Sequence, residues 1–238
     1  MTTVPYHIPA LLAETLEGLN ISPDGTYVDV TFGGGGHSRA ILAQLSPAGR
    51  LCAFDQDAEA IANAPDDERL TMIHGNFRYL TNYLRYEGVD QIDGLLGDLG
   101  VSFHHFDAAE RGFSFRADGP LDMRMNQSAS LSAAELLNTA TVERLTDILR
   151  LYGELKDARR IAQAIERARA AAPFITVQDL LRVVSPMMNP KREKKELACV
   201  FQALRIEVND EMGALRSLLD STLRVTRPGS RLVILPYH

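Results

Sequence analysis

The spacing of apolar residues changes along this chain. Up to about residue 98, short apolar runs alternate with segments in which leucine and alanine recur every three or four positions. The first pattern reads as buried strands and the second as amphipathic helices. Strands are expected over 26–32, 50–55, 70–74 and 92–98, and helices over 9–19, 38–45, 58–63 and 80–86. Turn residues separate them at Pro23-Asp24-Gly25 and at Ser46-Pro47-Ala48-Gly49. Strands alternating with helices imply an α/β fold, with a parallel sheet covered on both faces.

After Asp98 the pattern changes. Residues 103–128 are irregular and rich in Phe, Arg, Asp and Gly, and 132–172 keep a helical period until Pro173 breaks it. Thr176 heads a short capped helix, Pro186 and Pro190 bracket a loop, 194–208 are helical again, and 230–237 form a late apolar strand. We therefore expect a helical insertion of about 90 residues between strands four and five, an ordinary domain size. The expected division is a discontinuous sheet domain, 1–106 with 197–238, and an inserted helical domain, 107–196.

The first strand runs into Gly33-Gly34-Gly35-Gly36-His37-Ser38, where chain without Cβ atoms takes positive φ and lets a ligand approach bare backbone. Asp55, at the end of the second strand, follows Gly33 by 22 residues, the spacing that sets a carboxylate against ribose hydroxyls. The glycine run, the Asp55 and Asp98 strand ends, and Phe77 all fall where such sheets bind ligands, at the carboxyl ends of the strands. A dinucleotide fingerprint is incomplete, because Ser38 and Arg39 stand where its last Gly or Ala belongs. That argues against NAD or FAD and suits S-adenosylmethionine, which offers an amino-acid portion and a ribose but no phosphate. Asp29 supports either the glycine turn or a ligand ammonium.

Bulk properties narrow the classes further. The chain has 238 residues, 45% of them hydrophobic, enough for a sizeable core. Cys52 and Cys199 lie far apart in apolar segments, so free buried thiols are expected and a disulfide scaffold or Cys-rich zinc site is not. No signal peptide or membrane span is visible, so a cytoplasmic protein without a membrane partner is expected. Net charge is −6, but residues 150–210 carry 12 Lys/Arg against 8 Asp/Glu, leaving 13 against 23 elsewhere. Within that segment Lys156, Arg160 and Arg167 repeat at helical spacing, and Lys191, Arg192, Lys194 and Lys195 cluster. Such a surface is either a polyanion footprint or a solvated face.

Thr31-Phe-Gly-Gly-Gly-Gly-His-Ser38 resembles the T-F-G-x-G-G-H-S signature of the bacterial S-adenosylmethionine-dependent 16S ribosomal RNA (cytosine-N4)-methyltransferases. The resemblance extends through Asp98-Leu-Gly-Val-Ser102, the sixteen residues from Glu110-Arg-Gly-Phe-Ser-Phe to Leu-Asp-Met-Arg-Met125, and Phe201-Gln-Ala-Leu-Arg-Ile-Glu-Val-Asn209. It implies a Rossmann-like class I methyltransferase sheet with an inserted helical domain, and S-adenosylmethionine as cofactor. It places cofactor contacts on Gly35, Gly36, His37, Asp55, Phe77 and Asp98. His105 stands where the family has a Gln contact, with His104 beside it.

The expected reaction is methyl transfer to the N4 amine of a cytidine in the decoding region of small-subunit ribosomal RNA, free or assembled. That amine is conjugated with its ring and is a weak nucleophile, so catalysis is mostly orientation of a flipped base. Asp98 is the candidate catalytic group besides its cofactor contact. Phe103 and Phe106 either stack on the base or pin their loop. Arg111, Arg116 and Arg124 either meet phosphates or pair with Asp118 and Asp122. Arg205 and Asn209 share a helix face, and touch RNA or hold structure. The alternatives are methyl transfer to another nucleic-acid or protein amine and a non-catalytic RNA-binding module. A homodimer is open to it. Related sequences continue beyond a similar Tyr/Phe-His, and only five of the usual seven strands are found, so a fragment is expected.

Overall fold

The computed structural model describes residues 9–100 and 108–236. By packing, the chain divides into a sheet unit, residues 1–100 with 212–238, and a helical unit, residues 101–211. In the sheet unit the elements run α1 (Leu12–Leu19), β1 (Thr26–Asp29), α2 (Gly36–Leu42), β2 (Arg50–Asp55), α3 (Ala58–Ile61), β3 (Leu70–His74), α4 (Leu80–Tyr86) and β4 (Ile92–Leu99). The helical unit holds α5 (Ala133–Thr139), α6 (Val142–Leu151), α7 (Ala158–Ala171), α8 (Val177–Val184) and α9 (Glu193–Val208). Then α10 (Glu211–Val225) leads into β5 (Thr226–Pro236).

The strands form a parallel sheet in the order β3-β2-β1-β4-β5. Val28 lies opposite Cys52 on one side and Leu95 on the other. Side chains along a strand alternate between faces, and this sheet uses both. Tyr27, Leu51 and Leu96 pack with Leu19 of α1 and with Ile41 and Leu42 of α2. Val28, Cys52 and Leu95 pack with Leu80 and Leu84 of α4 and with Leu218 and Val225 of α10. Successive links run outward from β1 toward β3, then return across to β4, so the order reverses between β1 and β4. Ligands of open α/β sheets bind at such a reversal, beyond the carboxyl ends of the strands.

The helical unit has its own core, built on Leu137, Leu145, Leu149, Ile161, Leu180 and Val200 among others. Its helices start on well-formed caps: Ser132, Thr141 and Thr176 accept the N–H of Glu135, Arg144 and Asp179 at 3.2, 3.1 and 3.3 Å. The Asp179 carboxylate in turn accepts Thr176 N–H at 2.8 Å, completing a capping box. Arg169 of α7 donates to the Leu137 and Ala140 carbonyls, at 2.8 and 2.6 Å, sealing the end of α5.

Several boundaries differ from the sequence expectation. The first strand closes at Asp29, although the N–H groups of Val30 and Phe32 still donate to Leu96 and Phe54 at 2.9 Å. The single helical run expected over 132–172 is three helices. Residues 197–211 belong with the helical unit, because α9 buries Leu197, Val200, Phe201 and Leu204 in that core. Helix α10 was not anticipated; it is the crossover that a parallel β5 requires. Both cysteines are free. Cys52 is buried, which pushes its thiol up to about 11, whereas Cys199 is only half-buried. Among the described residues no helix is long and apolar enough to cross a membrane.

Candidate active site

The glycine loop is shaped by two residues with left-handed backbone, Gly33 at φ 52° and Gly35 at φ 74°. A Cβ on Gly35 would lie 2.6 Å from the Phe32 ring, and one on Gly36 would lie 2.3 Å from Pro9. The loop therefore admits no side chain at either position. Its first amide is tied down from the next strand, since Gly33 N–H donates to Asp55 Oδ2 at 2.8 Å. The other oxygen of Asp55 accepts Asp57 N–H at 2.9 Å.

Beneath the loop sits Asp29, wholly buried at the end of β1. It accepts the Ser38 hydroxyl at 2.6 Å and Thr31 N–H at 3.0 Å, so its role is to hold the glycine turn. Burial pushes its carboxyl above the usual range, against these hydrogen bonds. Thr31 carries the connection to β4, because its Oγ1 accepts Asp98 N–H at 2.7 Å.

His37 and Asp98 meet across the reversal point. His37 is 5% exposed, and its Nε2 lies 3.0 Å from the Ala10 carbonyl oxygen, which only a protonated Nε2 can satisfy. Its Nδ1 faces Asp98 Oδ2 at 3.8 Å. Burial raises the Asp98 carboxyl, with His37 pulling the other way. Phe77 opens the 3₁₀ turn after β3, and its ring packs at the edge of the sheet core. Gly75 N–H donates to the Asp55 carbonyl at 2.8 Å, binding that turn to the end of β2.

Six expected cofactor positions, Gly35, Gly36, His37, Asp55, Phe77 and Asp98, thus belong to connected loops at one edge of the sheet. Phe103, Phe106 and His105 lie outside the described residues. Arg124, Arg205 and Asn209 all lie in the helical unit, each with internal partners. Arg124 forks onto Asp122 at 2.8 and 2.7 Å and donates to the Ala129 carbonyl at 2.6 Å. Arg205 is buried and donates to both oxygens of Glu211, at 2.7 and 3.1 Å. Asn209 donates to the Met123 carbonyl at 2.8 Å and accepts Met125 N–H at 2.7 Å, gripping the chain on both sides of Arg124. Met123, between these holds, has φ 60°. Asp118 accepts the N–H groups of Gly119 and Gln178.

One residue of the site was missed in the sequence. Arg39 donates to the Gly34 carbonyl at 2.7 Å and to the Asn63 carbonyl at 2.9 Å, joining the glycine loop to the segment after α3. Its only signal was adjacency to the glycine run.

The model of the MraW methylase family matches residues 5–238. Three proteins called Ribosomal RNA small subunit methyltransferase H are similar over 98% of this chain. That of Parabacteroides distasonis is 58% identical over 234 residues, which cover 77% of its own length. That of Bacteroides thetaiotaomicron is 55% identical over 233 residues, 77% of its length. That of Porphyromonas gingivalis is 56% identical over 236 residues, 76% of its length.

Proposed function

The chain belongs to the MraW methylase family, and on that footing we propose that it methylates the N4 amine of a cytidine in the decoding region of small-subunit ribosomal RNA, with S-adenosylmethionine as donor. The relatives' shared name supports the ribosomal RNA substrate. An enzyme with that substrate works in the cytoplasm. The observation that carries the reading is the linkage of Asp55 to Gly33 and of Asp98 to His37 along one sheet edge, at 2.8 and 3.8 Å.

The residues fit such a donor. It supplies an electrophilic methyl group on a sulfonium, alongside an ammonium. An edge that holds Asp55 and Asp98 suits those positive charges, and a cation beside Asp98 would offset the cost of burying its charge. Asp55 would accept the ribose hydroxyls. The bare backbone of Gly35 and Gly36, with His37, would hold the amino-acid portion, and Phe77 would face the adenine. Asp98 would accept an N–H of the cytosine amine and turn its lone pair out of conjugation. A carboxyl raised above the usual range is also a better acceptor for the proton that the amine sheds.

Calorimetry should detect S-adenosylmethionine binding, and unmethylated small subunits should then gain N4-methylcytidine, read by mass spectrometry of the digested RNA. Cofactor binding with the methyl group delivered to a different amine would overturn the substrate. No cofactor binding would overturn the reading as a whole.

A further inference from the structure

The 12 Lys/Arg of residues 150–210 do not share one fate in the fold. Arg169, Arg182 and Arg205 are spent on Glu166, Asp179 and Glu211. Among the described residues no carboxylate lies within ion-pair distance of Lys156, Arg159, Arg160 or Arg167, and all four are exposed. They belong to α7 and the residues just before it.

Their arrangement on that helix is regular. Arg160, Gln163 and Arg167 follow one another at steps of three and four, which lines them up on one face, and Lys156 stands in the turn just before the helix. Arg159 flanks the row. The helical part of the row, from Arg160 to Arg167, is about 10 Å long at the helical rise per residue. The opposite face of α7 carries Ala158, Ile161, Ala162 and Ile165, all buried in the helical core. Packing thus fixes which way the cations point. The nearby acids do little to neutralise the row: Glu166 lies 3.8 Å from Arg169, and Asp157 stands at the head of the helix. The cluster at 191–195 is a poorer candidate, being interleaved with Glu193 and followed by Glu196, which accepts Asn189 N–H at 2.8 Å.

We infer that Lys156, in the turn before α7, and the Arg160–Arg167 row of α7 form a docking surface for the phosphate backbone of the RNA substrate. The inference rests on the proposed function for the identity of the polyanion. A cationic row on a chain with net charge −6 concentrates its attraction for polyanions locally. Guanidinium forks match phosphate oxygens, and such contacts position an RNA without reading its bases. The stripe therefore sets affinity, while selection of the cytidine belongs to the sheet edge.

The test measures binding to deproteinised, unmethylated small-subunit RNA over a series of potassium chloride concentrations. Each lost phosphate contact should flatten the plot of log affinity against log salt by about 0.7–0.9. The triple variant Lys156→Gln, Arg160→Gln, Arg167→Gln should therefore flatten it by about 2–3 and leave S-adenosylmethionine affinity unchanged. A control triple, Arg85→Gln, Arg216→Gln, Arg224→Gln, removes three exposed cations of the sheet unit and should keep the wild-type slope. All six positions are exposed, so neither variant threatens the fold. An unchanged slope in the stripe variant, or equal flattening by the control, overturns the inference while wild-type methyl transfer still supports the enzyme reading. A loss seen only with assembled subunits would make an acidic protein the partner and overturn the RNA assignment. Absence of RNA binding by the wild-type protein at low salt would sink both.

Discussion

At the edge of the sheet, Asp29 and Asp98 carry carboxyls that burial pushes above the usual range, and among the described residues no arginine or lysine pairs with either. In the helical unit burial works on Asp122 in the same direction. There the hydrogen bonds from Arg124 outweigh it and hold the carboxyl below the usual range. Arg205 with Glu211, and Asn209 with Met123 and Met125, repeat that pattern of internal satisfaction. Burying acid without a counter-charge is costly, and on the proposed reading a cationic ligand offsets that cost beside Asp98. Where every charge has a partner, the same polar residue types are scaffold. Family signatures fall in both regions, but their residues are differently partnered.

The largest expected effect tests the scaffold side. Arg205→Met leaves Glu211 without its partner, and breaking a buried pair costs about 3–5 kcal/mol. Urea unfolding should show that loss, with S-adenosylmethionine affinity of the folded protein unchanged. A drop in cofactor affinity at unchanged stability would move Arg205 into the site. On the ligand side, Asp55→Asn should weaken S-adenosylmethionine by about 10- to 100-fold, the worth of hydrogen bonds to a charged group. Calorimetry would read it, and wild-type affinity in the variant would remove Asp55 from the ribose role.

Asp98→Asn should cost about tenfold in cofactor affinity and should change its pH dependence. A cationic ligand favours the carboxylate, so wild-type binding should weaken as pH falls through the raised Asp98 value. The Asn variant should lack that dependence. The sign for stability is opposite. A raised folded-state value favours the protonated form, so the ligand-free protein gains stability from Asp98 as pH falls through that value toward the ordinary carboxylate range. Thermal unfolding from pH 7 to pH 4 should show a shallower rise, or none, in the variant. The smallest effect is expected at Arg39→Met, about 0.5–1.5 kcal/mol of lost hydrogen bonding. It should appear as faster amide exchange at Gly33 and Gly35 and a few-fold weaker cofactor binding. Unchanged exchange would mean that Asp55 and Asp29 hold the loop without Arg39.

Much of this was legible before any coordinates. Strands two and three fell within their expected limits because short apolar runs between turn residues have few other readings. The glycine loop and Asp55 were legible because chain reversal and strand ends leave local marks. Helix α10 had a signal too, with Ala214, Leu218, Thr222 and Val225 at helical spacing. The long insertion between β4 and β5 masks the crossover helix that the last parallel strand needs. The roles of Arg124, Arg205 and Asn209 had no local sign. Asn209 meets Met123 and Met125 across 86 and 84 residues, and nothing in the spacing of either segment announces that meeting.

By itself, the sequence determined the alternation of strand and helix, the place of the glycine loop, and which face of each element turns inward. Those properties follow from side-chain periods of two and 3.6 and from backbone that only glycine tolerates. Tertiary structure alone decided which charges are neutralised. It gave Arg124 to Asp122 and Arg205 to Glu211, set Asp98 against His37, and turned the α7 cations to solvent. An ion pair depends on distance and burial in space, and the identity of a charged residue fixes neither.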